Sequence, residues 1–109
     1  GGEATALTLQ HYPGYTDTEV RKIAERAQDR FDLLGLLVQH RVGRMVPGDV
    51  IVVVAAAAQH RREAFEACDF VMDYLKSAAP FWKKEEGPEG ARWVEPTERD
   101  LADRQRWEA

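Results

Sequence analysis

Two lysines, Lys76 and Lys83, stand seven residues apart on either side of Pro80. Lys76 comes one helical turn after Met72, at the edge of an apolar helical stripe. Lys83 follows Phe81 and Trp82 in a strand-like run. Pro80 redirects the chain between them, so the two ammonium groups can approach each other. Apolar surroundings and a neighbouring like charge both lower a lysine pKa from its ordinary value of about 10.4 toward neutrality. A neutral lysine can act as a base or nucleophile, and a charged one can hold an anionic intermediate. The end of a helix opposes this activation, because it stabilises a cation. The alternative is a pair of surface lysines whose stems snorkel along apolar surface, and the residues alone favour it.

A second cluster, Gln59-His60-Arg61-Arg62, opens the same helix. Cations at a helix N-terminus are unfavourable by roughly 0.3–1 kcal/mol each. A broken local rule of this kind can mark a site. A bound phosphate would account for it, since free backbone N–H groups, His60 and Arg61 would converge on one anion. The alternative is that these side chains are solvated, with Arg62 paired to Glu66 at i,i+4. That alternative too is the weightier one on residue physics alone.

Other chemistry is thinly represented. Cys68 lies on the apolar stripe and reads as a small buried hydrophobe rather than a nucleophile. His11 and His40 each follow a strand-like run without the neighbours of a metal site. Neither a Gly-rich phosphate loop nor zinc-ligand spacing is present. The net charge of −4 argues against nonspecific binding to nucleic acid or anionic lipid. Any bound anion must therefore meet a local cluster of cations. A single cysteine rules out an internal disulfide and suggests a reducing compartment. No apolar run approaches the ~20 residues that span a bilayer, and no secretory leader is visible; a cytoplasmic protein is expected.

The elements that must position these residues are legible from periodicity. A strand is expected over 5–11, then a Tyr12-Pro13-Gly14-Tyr15 turn. A helix to about Arg30 is capped by Thr16 with Glu19 reaching back, and buries Val20, Ile23, Ala24, Ala27 and Phe31. Strands are expected over 33–41 and 50–57, separated by the turn Val46-Pro47-Gly48-Asp49. The second is nearly all apolar and reads as a central strand buried on both faces. A long helix runs from about His60 to Ala78, with Ala64, Cys68, Val71, Met72 and Leu75 as its stripe, Phe65 beside them, and Pro80 ending it. Residues 81–86 and 91–95 form a hairpin around Gly87-Pro88-Glu89-Gly90. A short helix capped by Thr97-Glu98-Arg99-Asp100 ends near Trp107. The order β-α-β-β-α-β-β-α predicts an α+β fold with a mostly antiparallel sheet, hairpins and about three helices.

Several segments carry a resemblance to a known family. His11-Tyr12-Pro13-Gly14, His40-Arg41-Val42-Gly43, Pro47-Gly48-Asp49, Ala64-Phe65-Glu66-Ala67 and Met72-Asp73-Tyr74-Leu75-Lys76 resemble molybdopterin synthase large subunits. So do Ala79-Pro80-Phe81-Trp82-Lys83-Lys84 and Arg92-Trp93-Val94-Glu95. The likeness runs from about Thr5 to Trp107. It implies an α/β-hammerhead-like fold and a sulfurtransferase that needs no cofactor. The large subunit would form a homodimer at the centre of a heterotetramer. A small ubiquitin-like sulfur-carrier subunit would dock at each end, its C-terminal thiocarboxylate delivering sulfur to cyclic pyranopterin monophosphate to form the dithiolene of molybdopterin. It further implies that Lys76 is central to the chemistry and Lys83 supports it. His60 and Arg61 would form an anion pocket supplied across the dimer, and Met72 would line the pocket. Read this way, residues 1–109 are one large-subunit domain lacking the family's N-terminal section, which carries a pocket arginine. The family's arginine soon after Trp93-Val94-Glu95 is also replaced here, by Pro96-Thr97, with Arg99 nearby. The rival reading is a non-catalytic module that dimerises and docks the ubiquitin-like partner.

Overall fold

The computed structural model describes residues 4–77 and 81–108. The expected bend at Pro80 and the helix end at Ala78 lie outside the described residues. In chain order the elements are β1 (Ala6–Gln10), α1 (Tyr15–Arg30), β2 (Gly35–His40), β3 (Gly43–Met45), β4 (Val52–Ala57), α2 (Arg61–Ser77), β5 (Trp82–Gly87), β6 (Gly90–Val94) and α3 (Glu98–Gln105). The class is the expected α+β, and every described strand pairing is antiparallel. Four strands form one sheet in the order β3-β1-β5-β6, and β2 and β4 form a second.

The core gathers where α1 and α2 cover the inner face of the two-stranded sheet. Ile23, Ala27 and Phe31 of the α1 stripe meet Ala67, Phe70, Val71, Tyr74 and Leu75. The α2 stripe is thus rotated from the expected one. Positions 67, 70, 71 and 74 follow the i, i+3, i+4, i+7 rule. Phe65 is 70% exposed, and Cys68 is half-buried with its Sγ 3.9 Å from the Val54 carbonyl oxygen.

Three other expectations need correction. Helix α1 begins at Tyr15 with Gly14 as N-cap, at φ 84°, and no side chain caps it. A glycine takes that backbone conformation without penalty, so the helix starts before Thr16, whose Oγ1 instead accepts from the Tyr12 N–H at 2.9 Å. Glu19 pairs with Lys22 at 3.2 Å rather than reaching back. The three-residue strand β3 was not expected; it is too short to alternate. Finally, β4 is not a doubly buried central strand. Val52, Val54 and Ala56 face the helices, whereas Val53, Ala55 and Ala57 face outward and are exposed.

The last helix follows its sequence signal. Thr97 caps α3 through a reciprocal box, its Oγ1 accepting from the Asp100 N–H and the Asp100 carboxylate accepting from the Thr97 N–H. The chain end is then latched to α2 through Asp73. Its Oδ2 accepts from Arg106 Nε at 3.2 Å, Arg106 Nη2 at 2.8 Å and Trp107 Nε1 at 2.7 Å. Trp107 packs edge-on against Phe31 and Phe70. The Asp73 side chain is only 13% exposed, so its loss strands a sheltered indole N–H. Asp73→Ala is expected to cost about 2 kcal/mol, lowering Tm by roughly 10 °C. Thermal denaturation followed by circular dichroism checks it; an unchanged midpoint would remove the latch from the stability of the fold.

Candidate active site

The latch matters because it fixes the walls of a cleft. A cavity of about 390 Å³ opens between the four-stranded sheet and the end of α2. Its sheet wall is a row across three strands, Leu9, Lys83 and Val94, set by the pairing of Leu9 and Val94 with Lys83, and Leu7 lies beside it. Helix α2 contributes Met72, Leu75 and Lys76. His40, Ile51 and Val52 close the cleft from the second sheet, and Glu95, Pro96 and Asp100 from the approach to α3.

Three of the five residues singled out in the sequence therefore share one cavity: Lys76, Lys83 and Met72. Lys76 is exposed at its rim, in the last turn of α2, and Lys83 is half-buried on the sheet. Asp100 faces both lysines. Its carboxyl is held below the usual carboxylate range, chiefly by the Thr97 backbone N–H, with smaller contributions from the charges of Lys76 and Lys83. Two lysines, the two carboxylates Glu95 and Asp100, and an apolar floor thus share one cleft.

His60 and Arg61 do not join them. Both are exposed, and Arg61 is the first residue of α2 while Lys76 lies in its last turn. Fifteen residues of α-helix separate the two along its axis by about 22 Å, more than the reach of either side chain. Arg62 Nη1 lies 3.9 Å from Glu66 Oε1, the i,i+4 pair expected of a solvated face. A cluster at one end of a helix cannot serve a cleft at the other end of the same helix.

The cleft also contains residues that sequence reasoning passed over. His40 stacks on Phe81, with ring centroids 4.2 Å apart and an interplanar angle of 24°. Its Nδ1 is 2.9 Å from the Arg41 carbonyl oxygen. Burial pushes the imidazole pKa below its usual value, against the opposing effect of the Arg41 bond. A histidine at a strand end gives no local signal of this, because the pairing of β2 with β4 and the return of Phe81 are non-local. Asp100 was legible only as a capping residue; its second role, facing two lysines, depends on how α3 docks.

The fold and the cleft describe an α+β domain with two lysines in one cavity, and comparison with known proteins places it. The family model described as MoaE protein matches residues 1–78. A relative from Caulobacter vibrioides, the molybdopterin synthase catalytic subunit, is 62% identical over 98% of this chain and 71% of its own length. The solved structure of the molybdopterin biosynthesis MoaE protein from Burkholderia ambifaria superposes with a TM-score of 0.81 at 49% identity, covering 97% of this chain and 72% of that one. At the level of fold, a solved complex of subunits 1 and 2 of molybdopterin-converting factor from Helicobacter pylori matches with a TM-score of 0.64 at 21% identity, over 91% of this chain and 65% of that one. The chain belongs to the MoaE family, the catalytic subunits of molybdopterin synthase. It is a subunit of a sulfurtransferase of molybdenum cofactor biosynthesis. Among the described residues no helix is long and apolar enough to cross a membrane.

Proposed function

We infer that the cleft between α2 and the four-stranded sheet is where sulfur passes from the thiocarboxylate tail of a small ubiquitin-like subunit to cyclic pyranopterin monophosphate, building the dithiolene of molybdopterin in the cytoplasm. The observation that carries this reading is the convergence of Lys76, Lys83 and Met72 on one cavity. Lys76 assists attack on, and release of, the partner's acyl tail. Lys83 stabilises negative charge as it develops. Met72 supplies adaptable apolar lining. The sulfur arrives on the partner, so no cysteine of this chain is required to react. A two-subunit complex is known for the protein from Helicobacter pylori named above.

His60 and Arg61 enter this reading as the phosphate-binding pair of the neighbouring protomer. The span of α2 requires a second copy if both ends of that helix are to serve one reaction. A surface suited to a second copy is the outer face of the two-stranded sheet, where Leu37 is 47% and Val53 41% exposed beside Ala55 and Ala57. Burying such a face in a two-fold dimer offsets the cost of exposing apolar surface to water. Two catalytic chains and two small subunits then form a heterotetramer.

The test is reconstitution with the partner supplied in thiocarboxylate form and cyclic pyranopterin monophosphate as acceptor. Mass spectrometry should find two sulfurs added per pterin. Binding of the partner without any product would instead describe a docking module.

A further inference from the structure

The sulfur-transfer scheme gives His40 no role. His40 ends β2 on its inner face, opposite Val52, and lines the cavity that holds both lysines. Its Nδ1 bonds to the Arg41 carbonyl oxygen, and a carbonyl only accepts, so Nδ1 carries the hydrogen. In the neutral ring the lone pair then sits on Nε2. The stack on Phe81 holds the plane of the ring, and burial favours its uncharged form.

Sulfur transfer leaves the donor's tail joined to the acceptor through an acyl–sulfur bond. Freeing the tail by hydrolysis needs a base beside the attacking water. We propose that His40 is a further catalytic residue of this cleft, the base that takes a proton from the water that hydrolyses the acyl–sulfur bond and frees the partner's tail. This rests on the cleft being the site of sulfur transfer. As the new carbon–oxygen bond forms, one water proton moves to Nε2. The carbon–sulfur bond then breaks with its electron pair remaining on sulfur. The acid product loses its other proton to solvent, and the imidazolium returns its proton to the sulfur or to water.

The other charged groups facing the cleft are poorer bases. As ammonium groups, Lys76 from α2 and Lys83 from β5 have no lone pair to offer, and Arg41, beyond the end of β2, turns its guanidinium to the Val50 carbonyl. The Asp100 carboxylate accepts from the Thr97 N–H, which weakens it as a base. Glu95, just past the end of β6, is exposed to solvent rather than enclosed by the cleft.

His40→Asn keeps a donor for the Arg41 carbonyl while removing the base; His40→Gln places an untitratable amide near the position of Nε2. Release of the tail is followed in single turnovers against pH, with thiocarboxylated partner and pterin acceptor. The wild-type rate falls in acid, with the fall lying on the acid side of an ordinary imidazole's because burial lowers the pKa of His40, and only the neutral ring accepts a proton. Both variants are expected to release the tail about 100-fold more slowly, to lose that acid limb, and to accumulate the acyl–sulfur adduct while remaining folded and binding the partner as wild type does. Normal rates, or a retained acid limb without the adduct, would overturn the role of His40 while leaving the site intact. No sulfur transfer by the wild-type protein would instead overturn the site, and this role with it. Nitrogen-15 shifts of the His40 ring give a check that needs no variant. A neutral ring protonated at Nδ1 near pH 7 is expected, and an Nε2–H tautomer contradicts the proposal.

Discussion

Lys76→Ala should lower the rate of sulfur transfer by about 10²- to 10³-fold, the usual effect of removing one preorganised group that stabilises developing charge. The fold should tolerate the change. Lys76 is exposed, and its ammonium makes no hydrogen bond or ion pair among the described residues, so the Tm should hold while activity falls. The size of the effect follows from position. Lys76 sits in the last turn of α2, one turn after Met72, and faces Lys83 across the cleft. The helix end favours its charge, and the apolar lining from Leu7, Leu9 and Leu75 excludes some of the water that would otherwise screen it. Lys76→Arg retains the charge but exchanges a compact ammonium for a planar guanidinium. It should recover little activity if the amine itself engages the acyl tail, and much of it if charge alone matters. Steady-state and single-turnover rates with thiocarboxylated partner measure both variants, and near-normal turnover of Lys76→Ala would remove this residue from the mechanism.

Arg61→Ala should weaken binding of the pterin phosphate by about 10- to 100-fold, the loss of a charge-assisted hydrogen bond to an anion. The effect should fall mainly on KM, because the phosphate is bound in the ground state as well as in the transition state. It should also shrink as salt rises, since an exposed cation is screened. Within one chain this outcome would be puzzling, with Arg61 at the far end of α2 from the cleft. It is expected only if the Arg61 that meets the substrate belongs to another protomer. Calorimetric titration with cyclic pyranopterin monophosphate checks it, and an affinity equal to wild type would empty the proposed anion pocket.

The elements that position these residues were legible wherever the signal was local. The α1 stripe of Ile23, Ala27 and Phe31, the Thr97–Asp100 capping box and the β5–β6 hairpin all depend on neighbours within a few residues. The meeting of Lys76 and Lys83 was only the lighter of two local readings, the weightier being a pair of surface lysines, and Met72 joined the pocket only through the family resemblance. What escaped the sequence was set by distant partners or by competing local chemistry. Gly14 overrode Thr16 as the start of α1 by adopting a backbone that other residues avoid. The apolar run of β4 gave no hint that one face would be left uncovered by α1 and α2, since Val53 and Val54 are the same residue type on opposite faces. His40 and Asp100 read as a strand end and a helix cap, and only the packing of β2 and α3 around the end of α2 turns both toward the lysines.

On the proposed reading one protomer brings Lys76 and its twin brings Arg61, and mixing two impaired variants, assayed with the pterin well below its wild-type KM, tests this directly. Lys76→Ala and Arg61→Ala chains are dissociated together, allowed to re-form dimers, and assayed with thiocarboxylated partner. Random pairing makes half of the dimers mixed, and each mixed dimer holds one site with both residues intact, so activity should rise to about a quarter of wild type. Mixtures that remain as slow as the two variants alone, despite demonstrated exchange of protomers, would mean that both residues act within a single chain or that they do not share a site.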